Sequence, residues 1–290
     1  MKREAYIFGS PCVNGQQPLA GAVADMRNWV KYLKSPVGGA WKDEEIKPYL
    51  TTPDGAVLLT IPKLEGIMSQ VISSGATGLT SIVSSAALSG ATCLEAIECA
   101  IKMEGVEGET YRLVTFSGHG SEDCGGQLLL CFNDNNRHFT ADKLIPKGFG
   151  TAIFDCCRTV TSVPSALITE SADKIPSEPF DDSNKYYEAF ASALNGHQYD
   201  ETVVIRSCER NESAVDYGVG FGGGYTYWLI EEAMKWANSK GLDSGKEYST
   251  FQAHKEACNL LQKNGVQQSP QYSPDEKTHY PFAIRIGGVL

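Results

Sequence analysis

Two short apolar runs of the chain each end in a reactive group. In FGTAIFDCCRTV, Thr151 to Phe154 lead into Asp155, Cys156, Cys157 and Arg158. In YRLVTFSGHGSED, Leu113 to Phe116 lead into Ser117, Gly118, His119 and Gly120. Four β-prone residues that stop abruptly at polar ones read as a buried strand delivering its last side chains to a sheet edge. In open α/β sheets, chemistry lies outside the carboxyl ends of the strands, so a thiol and an imidazole placed there are candidates for one site. A cysteine attacks as its thiolate, and a nearby histidine takes the proton and later returns it to a leaving amine, which is acyl transfer. Glycines on both sides of His119 let a substrate carbonyl approach backbone N–H groups. Gly120 N–H with the nucleophile's own N–H would make an oxyanion hole.

Taken singly these residues say little. A histidine between glycines is commonly a turn residue, and a free cysteine commonly packs in a core. The joint pattern carries the reading. Adjacent residues on a strand point to opposite faces, so one of Cys156 and Cys157 faces the histidine and the other does not. A phosphatase would also use Cys and Arg after a strand. Its arginine follows a loop that wraps the anion, however, whereas Arg158 is adjacent to Cys157.

The elements that must position this pair alternate along the chain. Glu4 to Phe8 is a strand closed by Gly-Ser-Pro. In LAGAVADMRNWVKYLK, Leu19, Val23, Met26, Val30 and Leu33 form a helical stripe, with Asp25 at its flank. Ile46 to Thr52 reads as a strand and Pro62 to Ile72 as a helix, while the Ser/Gly/Thr/Ala-rich segment Ser73 to Gly90 reads as irregular. A helix over Ala91 to Met103 precedes the histidine strand. Gln127 to Phe132 reads as a hairpin arm turning at Asn133 to Asn136. Beyond the cysteine strand, Thr159 to Asn184 has the composition of a long surface loop. Order returns in the strand Thr202 to Cys208, the helices Tyr225 to Asn238 and Tyr248 to Lys263, and a closing strand Tyr280 to Ile286. Strands alternating with helices predict a single α/β domain over residues 1–290 with a mostly parallel sheet covered on both faces.

Composition sets the bounds. The chain has 290 residues, 42% hydrophobic and 21% charged, which is ample for a full core. A net charge of −10 disfavours nucleic acid and anionic membrane as partners, because both would repel it. Nine cysteines, with no CxxC pair or zinc-knuckle spacing, argue against a disulfide framework and a structural metal site. The start MKREAYIFGSP has no signal-peptide apolar stretch, and no run approaches membrane-spanning length. A cytoplasmic protein is the expectation.

FSGHG resembles the histidine motif, and FDCCRT the Asp-x-Cys nucleophile motif, of the caspase-like cysteine peptidases, and in particular of the metacaspases and their bacterial relatives. YIFGS with LAGAVADMRNWVKYL is similar to that family's first strand and helix. SCERNESAVDYGVGFGGGYTYWLIEEA is similar to the strand, loop and helix after the nucleophile, and QQSPQYSPDEKTHYPFAI to the closing segment. The resemblance implies a three-layer fold with a six-stranded, largely parallel sheet between helices. It also implies a catalytic pair His119 and Cys157, with Cys156 a neighbour, and peptide hydrolysis through a thioester. The interval from His119 to Cys157 is shorter than the caspase interval of about 50. Arg158 stands where metacaspases typically carry histidine. The acidic cluster after the histidine of calcium-dependent metacaspases is reduced to Glu122, Asp123 and Asp134, so the sequence gives no support for calcium activation, and no cofactor is expected.

The same resemblance places Asp25 at the metacaspases' pocket aspartate and Ser117 at a second lining position, with Ala22 where a cysteine is usual. Asp155, two places before the nucleophile, would face the same pocket. Two carboxylates in a closed pocket repel each other unless a cation joins them, so protein or peptide substrates with Arg or Lys before the scissile bond are expected. The alternative roles are a solvated helix-face acid for Asp25 and a strand-end cap for Asp155. Lys174 and Lys185 in the long loop offer basic cleavage points for self-processing or an upstream activator. A caspase-fold module that binds partners without turnover is the alternative function.

Overall fold

The structure is a computed structural model, and it describes residues 1–11, 18–52, 55–74, 78–87, 90–102, 110–132, 138–158, 182–197, 201–239 and 247–286. In chain order the strands are β1 (Lys2–Ser10), β2 (Ile46–Thr52), β3 (Gly55–Leu58), β4 (Thr110–Gly118), β5 (Gly120–Glu122), β6 (Leu128–Cys131), β7 (His138–Thr140), β8 (Gly150–Asp155), β9 (Thr202–Arg206), β10 (Glu247–Ser249), β11 (Gln271–Ser273) and β12 (Pro281–Ile284). The helices are α1 (Ala20–Lys34), α2 (Ile61–Ser74), α3 (Leu79–Ala87), α4 (Leu94–Lys102), α5 (Ser183–Gly196), α6 (Gly224–Asn238) and α7 (Thr250–Lys263).

Seven strands form the main sheet in the order β11-β9-β8-β4-β1-β2-β3. The five central strands are parallel, and β3 and β11 close the two edges antiparallel. Strand alternation divides the core. Ala5, Ile7, Leu113 and Ile153 face one layer, built with α1, α2, α3, α5, α6 and α7. Tyr6, Phe8, Val114, Phe116, Ala152 and Phe154 face the other, built with α4 and the small β5-β6-β7 arm. This is the three-layer α/β sandwich expected of the sequence, with seven strands in place of six. The closing strand exists, but it pairs with β10 in a separate two-stranded ribbon. The predicted stripe of α1 packs as expected, with Val23 and Met26 fully buried.

Two helices depart from the sequence reading. The segment read as irregular contains α3, because Leu79, Ile82, Val83 and Ala86 recur at helical spacing and all are buried, while serines and threonines face out. Packing of that stripe outweighs the weak helix propensity of Ser and Thr. Ser183 and Asn184, read as the end of the long loop, instead open α5, which buries Tyr186, Phe190 and Leu194. The rest of that loop, residues 159–181 with Lys174, lies outside the described residues, as do Met103, the turn 133–136 and Asp134. Lys185 is in the first turn of α5, paired with Asp182 at 2.8 Å.

The α3 stripe yields a direct stability test. Leu79→Ala should destabilise by about 2–4 kcal/mol, as large-to-small core changes do, and Ser81→Ala, on the exposed face, by less than about 0.5 kcal/mol. Denaturant midpoints of the two variants check the helix and its orientation; equal small effects would remove it.

Candidate active site

Strands β4 and β8 are neighbours whose register aligns Ser117 with Asp155. His119 and Cys157 each lie two residues beyond that aligned pair, so the register alone carries imidazole and thiol to the same edge. Both line one cleft with Ser117, Asp155, Ala214 and Asp216. His119 is buried and Cys157 half-buried. Cys156 points to the other face, joins the smaller core and is 2% exposed. Backbone crosses it closely: a Cβ on Gly120 would lie 2.8 Å from Cys156 Sγ and 2.6 Å from the Cys157 carbonyl oxygen. Only glycine lets the histidine segment come this near the nucleophile turn.

Burial pushes the Cys157 thiol up, reinforced by the charge of Asp155, so the resting group is a thiol. Its sulfur accepts from Ala214 N at 3.3 Å and faces the Ala214 carbonyl at 3.7 Å. Attack from this state needs a base to remove the proton. Burial pushes Cys156 far higher and Cys208 up to about 12. Cys208, whose thiol donates to the Cys156 carbonyl at 3.1 Å, is the core residue its position implies.

Asp155 lines the cleft, and Asp25 lies behind Ser117, outside the lining. Asp25 is fully buried: its Oδ2 accepts from Ser117 Oγ at 2.5 Å and from Gly223 N at 2.9 Å, while its Oδ1 has no hydrogen-bond partner among the described residues. Asp155 Oδ2 accepts from Thr226 N at 2.9 Å, and the Thr226 and Ser207 hydroxyls beside it also favour its charged form, while its Oδ1 has no partner in hydrogen-bond geometry among the described residues. The two donors Gly223 N and Thr226 N belong to the start of α6, whose N–H groups and dipole favour negative charge there. The glycine run before α6 permits the approach. A Cβ on Gly222, at φ +89°, would sit 1.9 Å from Asp25 Oδ1, and one on Gly223 2.4 Å from Asp155 Oδ2. Burial raises both carboxyls, Asp25 well above the ordinary range and further by the charge of Asp155. Asp25 is therefore no solvated helix-face acid. Asp155 does cap a helix, with one of its two oxygens.

A third acid was not picked out in the sequence. Asp216, on the turn between β9 and α6, accepts from Gly218 N at 2.7 Å and lines the cleft; burial pushes its carboxyl up to about 6. Nothing in VDYGVGFGGGY distinguishes it from a turn aspartate, because its role depends on how that turn folds back over α1. Ala214 was missed for the same reason.

The turn after β8 is fastened from outside. Arg158 N donates to the Glu212 carbonyl at 2.9 Å, and the guanidinium reaches Gln271 Oε1 at 2.7 Å and Glu122 at 3.3 Å. Glu122 also takes Arg210 at 2.7 Å. Two guanidiniums thus occupy the acid that the sequence offered toward a metal. Elsewhere a Cys–His contact, Cys258 Sγ to His254 Nε2 at 3.6 Å, joins a half-buried thiol to a buried imidazole. Burial lowers His254 to about 4 and raises Cys258 to about 11, so neither ionises near neutrality. His254 is the packed histidine expected from its helical face, bonded to Tyr225 at 2.9 Å and flanked by Phe251 and Tyr272. Trp236 stacks on Tyr248 and Trp228 bonds Tyr217, both as cover.

A family model described as the caspase domain matches residues 2–280. Among solved structures, the chain is similar to caspase-1 from Spodoptera frugiperda, with 11% identity over 99% of this chain and 91% of that one at a TM-score of 0.46. It is also similar to a protein from Geobacter sulfurreducens, with 15% identity over 100% of both chains at a TM-score of 0.47. No curated protein matches.

Strand alternation and the cleft lining predict separate fates for the adjacent thiols. Cys157→Ala and His119→Ala should each lose peptide turnover by a factor of about 10³ or more, while Cys156→Ala keeps a substantial part of it. Steady-state assays of the three variants decide; a dead Cys156→Ala beside an active Cys157→Ala would reverse the register.

Proposed function

The chain belongs to the caspase domain family, and on that premise we propose that it is a cysteine endopeptidase cleaving protein or peptide substrates after Arg or Lys. The observation that carries the specificity is the pair of buried carboxylates, Asp25 and Asp155, each with one oxygen satisfied by the fold and one without a hydrogen-bond partner among the described residues. No lysine or arginine pairs with either among the described residues. A guanidinium presents several donors in one plane and supplies both the missing hydrogen bonds and the missing positive charge. Asp216 adds a third carboxyl at the cleft, where a substrate aspartate would meet acids and no cation.

In this reading His119 takes the thiol proton as Cys157 Sγ attacks the scissile carbonyl. The C–N bond then breaks, and the same proton passes to the departing amine. Gly120 N–H and Cys157 N–H face the oxyanion. Water, deprotonated by the now neutral imidazole, hydrolyses the thioester and restores the thiol. Cys156 only packs, Arg158 holds the turn, and the acids bind the side chain before the scissile bond without moving a proton at the reacting carbon. A module without turnover would gain nothing from burying two half-satisfied carboxylates beside a thiol, which favours the enzyme. No helix among the described residues is long and apolar enough to cross a membrane.

Fluorogenic peptides differing only before the scissile bond test the pocket. Arg and Lys should exceed Asp by about 10³ in kcat/KM, and Asp25→Asn or Asp155→Asn should each cost Arg substrates about 10²-fold, mostly in KM. Preference for Asp, or unchanged Arg cleavage in both variants, would exclude an acidic pocket.

The raised carboxyl of Asp216 adds a pH dependence. Folding lifts it from 3.8 to about 6, so the stability it lends is complete below 3.8 and is lost as the pH rises through about 6. Over the same rise the group becomes charged, and KM for an arginyl substrate should fall. Asp216→Asn should flatten that KM limb and leave kcat unchanged; a variant keeping the wild-type KM profile would take Asp216 out of the pocket.

A further inference from the structure

Away from the cleft, three side chains from distant parts of the sequence converge. His197 caps the C-terminus of α5, Glu247 opens β10 and His279 lies in the turn before β12. Their ligand-type atoms all lie within 4.8 Å of one another. His197 Nε2 is in contact with Glu247 Oε1, and the rings of His197 and His279 are 5.2 Å apart. We propose that His197, Glu247 and His279 form a binding site for a divalent transition-metal ion, with Zn²⁺ its natural occupant.

The donor set selects the class of ion. Two imidazoles and one carboxylate suit zinc and its neighbours, whereas calcium and magnesium require a shell of oxygens that one carboxylate does not provide. With metal–ligand distances near 2.0–2.1 Å, tetrahedral ligands stand about 3.3 Å apart, so side-chain rotation closes the set. His279 carries a further mark of a ligand. Its Nδ1 faces the Glu276 carbonyl at 3.2 Å. A proton donated there leaves Nε2 with its lone pair, which is the outer-shell bond that metal-binding histidines commonly make.

The backbones that carry the three groups are already held. His197 N donates to the Leu194 carbonyl at 3.1 Å. Glu247 pairs with Ile284 across the ribbon. The His279 turn is fixed by Asp275 Oδ1 accepting from Lys277 N and Thr278 N at 3.0 and 3.1 Å. Little ordering remains to be done on binding. A bound ion would join the end of α5, the start of β10 and the turn before β12.

The site is remote from the thiol. Tyr280, next to His279, bonds the Glu201 carbonyl at 2.7 Å, just ahead of β9. The cleft lies past the other end of that strand, about 15 Å away at strand rise. The ion would therefore act on stability and leave the reacting groups untouched.

The test uses the full chain as wild type and as Cys157→Ala, which removes the cleft thiol as a competing ligand. In both, saturating Zn²⁺ should raise Tm by about 5 °C. Co²⁺ should bind Cys157→Ala with one equivalent per chain and give the visible bands of a tetrahedral nitrogen–oxygen site, without a thiolate-to-cobalt charge-transfer band. His279→Ala and Glu247→Gln should each abolish both responses while shifting the metal-free Tm by little. An unmoved Tm in Cys157→Ala, a thiolate band, or full responses in His279→Ala and Glu247→Gln would overturn the assignment.

Discussion

The pairing of Asp25 and Asp155 is the constraint around which the site is arranged. Burying a carboxylate without a cation is costly, and burying two that feel each other costs more. The protein offsets this with the start of α6, which gives one N–H to each acid, and with the Ser117 hydroxyl. It stops halfway, because Oδ1 of both acids has no hydrogen-bond partner among the described residues. Raised carboxyl pKa values follow, and so does a pocket more stable occupied than empty. Buried polar groups that a fold leaves unsatisfied are expected at functional sites and rarely elsewhere.

Sheet geometry supplies the other half of the site. Parallel pairing of β4 with β8 fixes where the strands end, and the matched offset of His119 and Cys157 from the Ser117–Asp155 pair follows from that register. The two-residue period puts Asp155 and Cys157 toward the cleft and Cys156 toward the core, so acid and thiol share a face by necessity. The His254–Cys258 contact shows why proximity alone does not make a nucleophile. It packs against the rings of Phe251 and Tyr272, and burial holds both groups neutral.

Much of this was legible in the residues. Apolar runs ending in Asp-Cys-Cys and Ser-Gly-His marked the two strands and the end of each that matters, and the stripe Val23, Met26, Val30, Leu33 marked α1. Asp25 and its place in a closed pocket were legible by motif position alone, because a flank position on an isolated helix reads as solvent-facing. The glycine turn before α6 is what covers it. Asp216 and Ala214 stayed hidden for the same reason, since tertiary folding of a turn leaves no periodic trace. In α3 a serine-rich composition masked a short stripe, and the N-cap of α5, Asp182, did not stand out from the Asp- and Ser-rich stretch before it. The edge strands β3 and β11 have four and three residues, too few for alternation to show.

The central claim is that the acidic pocket awaits a cation. Burial raises both carboxyls in the empty pocket, and a guanidinium favours their ionised form, so its entry should release protons. Calorimetry of the full-length Cys157→Ala protein with an arginyl peptide at pH 6, in buffers of different ionisation enthalpy, measures that release. The account predicts net proton release for the arginyl peptide and much weaker binding of its norleucyl analogue. Equal affinity for both peptides, with a binding heat independent of buffer, would contradict it.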